Sequence, residues 1–328
     1  MHAQKVAKSE SEMKGWILYR SNNEFLKDKS YAVTRLFDSA KDSGVELEII
    51  APNRLELTVT REDRRSILLD GKPVSLPDFI IPRMGAFTSY FDLAVIRHLE
   101  RLGVRSFNSS TSIETVKDKL FSQQILAQHN LPFPKTMLVK FPVNVDLVEK
   151  RLGFPVVVKT LYGSQGSGVF LCETKKEFLN LVQIIEATKG SANIILQEFV
   201  KNSKGRDLRV FTVGGRVVGC VERIASENEF KANFSQGGSV KPHEVTPEIE
   251  WLAVETSRIF NLDIAGIDLL FDGDHFKVCE ANSSPGFEAI EIVSDIDVPK
   301  EIFHFIRLRL GLFTKKDKRQ SSKEIILN

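Results

Sequence analysis

Two stretches of this chain place chemistry-bearing side chains at informative spacings. The first is Asp268–Gly286, DLLFDGDHFKVCEANSSPG. Asp272-Gly273-Asp274 separates two apolar runs, which is a hairpin signal. A three-residue loop centred on Asp274 sets Asp268 opposite Glu280, and Asn282, two residues on, points from the same face as Glu280. Carboxylates facing each other are destabilising unless a cation lies between them. An all-oxygen donor set without His or Cys favours Mg2+ or Mn2+ over zinc. The other reading is a solvated acidic hairpin, which suits Asp272 and Asp274 at the tip better than Glu280 and Asn282.

The second stretch is Thr160–Val169, TLYGSQGSGV, which follows Lys159. Gly163, Gly166 and Gly168 alternate with Ser164, Gln165 and Ser167. Glycines let backbone N–H groups approach phosphate oxygens, and a nearby lysine supplies a point charge. The spacing matches neither the P-loop nor the dinucleotide fingerprint, and a mobile glycine-rich hairpin would look the same. Gln197-Glu198-Phe199 ends an apolar run, where polar groups can read an adenine edge. Arg209 alternates with apolar neighbours in Gly205–Val210, so it faces one side of a strand, towards an anion or towards solvent. Glu222-Arg223 and Glu229–Ser239 (EFKANFSQGGS) add Arg223, Lys231, Asn233 and a Gly237-Gly238 turn.

Alternating strands and helices must position these groups. Trp16–Tyr19, Val45–Ile50 and Phe79–Ile81 read as strands, and Tyr31–Ser43 and Asp92–Leu102 as amphipathic helices stopped at Gly44 and Gly103. Leu68–Val74 carries Asp70-Gly71, the chemistry of a tight hairpin turn. This order predicts a parallel α/β sheet over residues 14–110. Ile113–His129 reads as one helix, Phe154–Thr160 as a strand and Lys175–Glu186 as a helix. Strands then dominate: Ile194–Val200, Leu208–Val213, Arg216–Arg223, Ile264–Phe271 and His275–Glu280. The helices Pro247–Phe260, with Trp251 packing it, and Lys300–Leu310 complete the set.

The composition of the 328 residues, 42% hydrophobic and 27% charged, excludes wholesale disorder. No apolar run approaches the roughly 18 residues that span a bilayer. The first fourteen residues lack an apolar signal core, and Cys172, Cys220 and Cys279 are odd in number and far apart. Reduced thiols in a cytoplasmic protein are the expectation. Net charge is +2. A local +4 sits in Thr314–Lys323, so no nucleic-acid partner is expected from the folded body.

Taken in order, these pieces resemble the ATP-grasp superfamily and, within it, the RimK-like carboxylate–amine ligases (α-L-glutamate ligases). The carriers are Ile81-Pro82-Arg83-Met84-Gly85, Lys117-Asp118-Lys119-Leu120, Lys159 with its glycine-rich loop, and Gln197-Glu198-Phe199. They continue through Gly205-Arg206-Asp207, Glu222-Arg223, Lys231-Ala232-Asn233 and Gly237-Gly238-Ser239 to Asp268 and Glu280–Gly286. The likeness covers residues 15–311.

It implies an ATP-grasp fold of α/β (α+β) class. Residues 15–112 would form the pre-ATP-grasp domain, 113–193 a central lid and 194–312 the C-terminal domain with the metal site, between a leader (1–14) and a basic tail (313–328). The resemblance also implies roles. Lys119 and Lys159 would contact ATP, Gly163–Gly168 would close over the triphosphate, and Gln197, Glu198 and Phe199 would line the adenine hinge. Asp207, Lys231 and Asn233 would lie in the nucleotide site. Asp268, Glu280 and Asn282 would hold two Mg2+ (or Mn2+) ions. Arg209, with Lys159, would serve the chemical step by facing the acyl phosphate, and Arg83, Arg223 and Ser284 would meet substrate. The implied activity is amide formation between a carboxylate and an amine through an acyl phosphate, releasing ADP and phosphate. An amino acid such as glutamate would be added to a peptide, protein or small-molecule acceptor.

The partners implied are small-molecule substrates or a peptide or carrier-protein acceptor, no membrane, and a homo-oligomeric assembly. Glutamate-adding relatives read RSNLHRGG where this chain reads KANFSQGG, so Ser235 and Gln236 replace two cations near the substrates. That departure points to a substrate pair other than free glutamate and a glutamate-ended protein tail. A kinase acting on a hydroxyl, or an ATP-binding module without chemistry, are the competing functions.

Overall fold

In the computed structural model, residues 13–20, 30–61, 66–85, 88–161, 168–188, 193–226, 230 and 237–312 are described. The chain divides into two compact units.

One unit takes the residues up to Arg83, His98–Phe107 and the stretch from Asp297. Strands β1 (Met13–Leu18), β2 (Val45–Ile50), β6 (Phe79–Pro82) and β7 (Arg105–Ser106) form a sheet of order β2-β1-β6-β7 whose pairings are all parallel, as the alternating pattern predicts. A small antiparallel sheet, β3 (Leu55–Leu57), β4 (Ile67–Leu69) and β5 (Lys72–Pro73), turns at Asp70-Gly71, both with positive φ. Helix α1 (Tyr31–Ala40) starts at Ser30, whose side chain accepts from the Val33 amide. Phe107 stands edge-on to Phe79 and to Phe305, with ring centroids 6.1 and 5.8 Å away. Phe305 lies on the helix Val298–Arg309, so the end of the described chain completes the core of the N-terminal unit.

The other unit holds Met84–Arg97 and Asn108–Ile296, and helix α2 (Tyr90–Arg101) contributes residues to both. The sequence reading of a single helix over 113–129 is corrected. There are two helices, α3 (Ser110–Lys117) and α4 (Lys119–Gln128). Asp118 breaks the run because its carboxylate accepts from the Leu120 and Phe121 amides, both at 2.9 Å, making it the N-cap of α4.

A four-stranded antiparallel sheet follows, with order β10 (Val169–Cys172), β9 (Val156–Thr160), β11 (Ile194–Glu198), β8 (Thr136–Val139). Helices α5 (Val145–Arg151) and α6 (Lys175–Thr188) accompany it, and Val156, Val158, Ile194 and Leu196 share one core with Val148 and Phe178. That leaves Val157, Lys159, Ile195 and Gln197 on the opposite face. The short elements β8, α5 and β10, and the strand Ser239–Pro242, have no counterpart in the sequence reading, because they are too brief to show a period.

The second sheet of this unit has five strands, β14 (Ser239–Pro242), β13 (Arg216–Ile224), β12 (Arg206–Val213), β15 (Ile264–Asp272) and β16 (His275–Asn282), all antiparallel. Leu208 and Val210, Ala265, Ile267 and Leu269, and Val278 and Ala281 form one core with Ile249, Leu252 and Ala253 of helix α7 (Pro247–Ile259). Each of the buried Val, Leu and Ile side chains contributes about 1.5–3 kcal/mol. Trp251 does not pack this helix: it is 55% exposed. Helix α8 (Glu288–Val293) follows in this unit, and α9 (Val298–Arg309) is the helix that returns to the first.

Candidate active site

Period-2 alternation leaves Asp207 and Arg209 on β12 and Gly266 and Asp268 on β15 facing away from the α7 core. Arg209 is the cross-strand partner of Asp268, which is the partner of Glu280, and Asp207 is the partner of Arg223. One face of the sheet therefore carries a row of charges across β12, β15 and β16, an arginine followed by two carboxylates.

The sequence reading put Asp268 opposite Glu280 by means of a three-residue loop. The pairing is correct and its cause is different. Asp272 pairs with His275 around a two-residue turn, and the register shifts at Cys279. This β-bulge matters because strict alternation from Val278 would send Glu280 into the core. With Cys279 inserted, Val278 and Ala281 both enter the core, and Glu280 and Asn282 turn to the other face. Gln123 of α4 donates to the Cys279 carbonyl at 3.0 Å, and the Val278 amide donates to the Pro132 carbonyl at 2.8 Å, so the bulge is gripped from its outer edge.

Asp268 is the electrostatic centre. Arg209 Nε and Nη2 grip its two oxygens, Nη2 at 2.8 Å, and Arg223 Nη2 lies 3.0 Å from Oδ2. Arg223 also forks onto Asp207 at 2.7 and 2.6 Å. Burial alone would raise the Asp268 pKa, but the two arginines outweigh it and hold the carboxyl at about 2. Asp207 faces one arginine directly, and burial pushes it up to about 6 against that pull. Arg223 is buried too, yet Asp268 and Asp207 raise its pKa further, so it stays charged.

Around this row lie two lysines. Burial draws the Lys119 pKa below its usual value, against the attraction of Glu280 and with the repulsion of Lys159. Lys159 Nζ donates to Gln197 Oε1 at 2.6 Å and lies 3.8 Å from Cys279 Sγ. Gln197 Nε2 donates to Thr136 Oγ1 at 3.0 Å. Burial pushes the Cys279 thiol up to about 11, with Lys159 opposing, so it is uncharged at neutral pH. Glu198 is tied to Lys277 at 2.5 Å, and Lys277 also reaches Asp272 at 3.1 Å. Phe199 is half-buried just past β11.

Asn282 Nδ2 donates to Glu280 Oε1 and to the Gly266 carbonyl, both at 3.3 Å. Gly266 has no room for a side chain, since a Cβ there would meet Pro285 Cβ at 2.6 Å and Arg209 Cδ at 3.0 Å. Ser284 is half-buried between Asn282 and Pro285.

Asn108 was not singled out in the sequence, and only its place before a helix could have drawn attention to it. Buried, it donates to the Ile264 and Ser283 carbonyls at 2.7 and 2.8 Å and accepts from the Asp263 and Ile264 amides at 2.6 and 3.0 Å. It thereby ties the start of β15 to the turn that follows β16.

Not all of the expected residues lie on these two antiparallel sheets. Arg83 belongs to the N-terminal unit, buried at the end of β6, where burial lowers its pKa to about 10 and leaves it charged at neutral pH. Gly168 closes the β9–β10 hairpin, its carbonyl accepting from the Thr160 amide at 3.0 Å. Gly163, Ser164, Gln165, Gly166, Ser167, Lys231 and Asn233 lie outside the described residues. Among the described residues, no three of His, Cys, Asp and Glu converge on a metal position, and no helix is long and apolar enough to cross a membrane. The expected metal set consists of two carboxylates and an amide.

A parallel α/β sheet, a four-stranded antiparallel sheet carrying Lys159 and a five-stranded sheet carrying facing carboxylates define the class: an ATP-grasp fold. Solved structures agree. The ATP-grasp ligase PsnB, complexed with a phosphomimetic variant of its minimal precursor, Mg and ADP, superposes with a TM-score of 0.69 at 18% identity, over 90% of this chain and 98% of that one. D-alanine–D-alanine ligase from Bacillus anthracis, complexed with ATP, gives 0.61 at 16%, over 91% and 98%. Family models described as the RimK PreATP-grasp domain and the RimK-like ATP-grasp domain match residues 13–113 and 116–306. A protein of Thioalkalivibrio sulfidiphilus named "Probable alpha-L-glutamate ligase" is 37% identical over 279 residues, 85% of this chain and 92% of its own length. The chain belongs to the RimK-like ATP-grasp family, whose members are ATP-dependent ligases forming carbon–nitrogen bonds.

Proposed function

We propose that this protein activates a substrate carboxylate with ATP as an acyl phosphate and passes the acyl group to an amine, forming an amide and releasing ADP and phosphate. The observation that carries this reading is the row Arg209–Asp268–Glu280, with Asn282 beside it, on one sheet face. A binding module has no need of opposed carboxylates, one of them buried, which raise each other's energy.

The donor set tests whether a cation fits. Two carboxylates and an amide oxygen suit a hard divalent ion such as Mg2+ or Mn2+. Glu280, Asn282 and Asp268 would hold two such ions, which when bound would neutralise charge on the nucleotide phosphates.

This chain's own residues do the rest. Lys119 and Lys159 bring positive charge to the phosphates, and Gly163–Gly168 covers them. Glu198 and Phe199 flank the base, and Asp207, Lys231 and Asn233 complete the nucleotide site. Arg209 spends Nε and Nη2 on Asp268, and its Nη1 would meet the oxyanion that develops when the amine attacks. Arg83, Arg223 and Ser284 would orient the substrates. Covering the acyl phosphate excludes water, which would otherwise hydrolyse it.

One substrate is an amino acid, as the relatives' name suggests, and the acceptor is a peptide, protein or small molecule. The exchange of His and Arg for Ser235 and Gln236 favours a substrate pair other than free glutamate and a glutamate-ended tail. The test is ADP release from MgATP across a panel of amino acids and carboxylates with hydroxylamine present. Acid-dependent ADP with a matching hydroxamate, both absent in Glu280→Gln, supports the ligase. ADP with a phosphate ester in place of hydroxamate would turn the reading into a kinase.

A further inference from the structure

Lys159 projects from β9 on the face opposite the α5–α6 core and reaches along the sheet to its diagonal neighbour Gln197 on β11. Its other neighbour is the Cys279 thiol. Among the described residues, the ammonium makes no ion pair; its contacts are an amide oxygen and a neutral sulfur. Gln197 is 3% exposed, and its amide is anchored at the far end by Thr136, whose own hydroxyl donates to the Pro134 carbonyl at 2.9 Å. The chain Pro134–Thr136–Gln197–Lys159 therefore fixes which way round the amide sits, with its oxygen towards the lysine.

We infer that Gln197 is a positioning residue that holds the Lys159 ammonium at the nucleotide site with an uncharged acceptor, leaving its full charge for the phosphates. This rests on the reading above that Lys159 meets those phosphates. A glutamate at the same position would have the same reach, but it would neutralise the lysine and compete with the nucleotide for it. A neutral acceptor supplies direction without that competition. Adenine recognition is left to other groups, because both ends of the Gln197 amide are already engaged.

The test uses the full chain and direct MgADP and MgATP binding by calorimetry, with MgATP KM and kcat alongside. Gln197→Glu is isosteric; it should weaken MgATP binding about tenfold and raise KM more than it lowers kcat. Gln197→Met, Lys159→Met and the double variant form a cycle, with thermal midpoints confirming that each is folded. If Gln197 acts through Lys159, Gln197→Met weakens nucleotide binding in the parent and has no further effect in the Lys159→Met background. Unchanged binding in Lys159→Met would remove the nucleotide reading itself. A large effect of Lys159→Met combined with an additive effect of Gln197→Met would overturn the positioning role alone. Should Gln197→Glu fail to fold, the methionine cycle still decides.

Discussion

Asp268 and Glu280 face each other across β15 and β16 because Cys279 is inserted as a bulge two residues after Lys277. The insertion converts a strand that would bury Glu280 into one that presents Glu280 and Asn282 beside Asp268. The outer edge of that bulge is held by Gln123, whose amide nitrogen reaches the Cys279 carbonyl.

Replacing Gln123 should separate site geometry from stability. Its Oε1 is buried and has no hydrogen-bond partner among the described residues, so Gln123→Met removes an unsatisfied acceptor together with the bond to Cys279. The two changes offset each other, and stability should move by no more than about 1 kcal/mol. Mn2+ affinity, followed by electron paramagnetic resonance, should fall several-fold as Glu280 loses its fixed direction. Unchanged affinity would show that the bulge holds without α4.

Gly266→Ala should be costly despite its small size. The added methyl would meet Pro285 Cβ at 2.6 Å and Arg209 Cδ at 3.0 Å, forcing apart β12 and the turn after β16. Denaturant unfolding should show a loss of about 1–3 kcal/mol, and ATP turnover should drop with it.

Asn108→Ala should destabilise the unit that holds Asn108–Ile296 by about 3 kcal/mol, measured by denaturant unfolding. Two amides and two carbonyls lose their partner at once in a buried place. Asn108→Asp should recover little, because the carboxylate cannot donate to the Ile264 and Ser283 carbonyls.

Acid sensitivity should trace to Asp268. Its pKa is about 2 when folded and near 3.8 in the open chain, so its stabilising contribution is complete above pH 4 and fades as pH falls from about 4 to 2. The loss amounts to about 2 kcal/mol. Asp207 runs the other way: raised to about 6, it favours the folded state less as pH rises from about 4 to 6. Stability measured from pH 6 to 2 should peak near pH 4, and Asp268→Asn should flatten the limb below pH 4. An unchanged limb in that variant would assign acid unfolding to other carboxylates.

Much of this was open to reading in the chain itself. The parallel sheet followed from short apolar runs separated by amphipathic segments, and Val45–Ile50 has the same bounds in sequence and structure. The hairpin carrying Asp268 and Glu280 announced itself through Asp272-Gly273-Asp274. Local signals of this kind survive because turn chemistry and apolar period act within a few residues. The break at Asp118 was missed because a capping aspartate inside a continuous helical period looks like any solvated charge until its backbone partners are known.

Residue type and order alone pointed to the ATP-grasp class and made the two lysines and the oxygen donors of the Asp268–Asn282 hairpin candidates. The tertiary structure decided what those groups touch. It set Arg209 and Arg223 on Asp268, tied Gln197 to Lys159, and gave Asn108 four backbone partners drawn from 155 or more residues away. It also created the Cys279 bulge, through contacts from α4 and Pro132 that lie far off in sequence. A strand's alternation is local, but where it is broken depends on which distant groups can satisfy the displaced backbone.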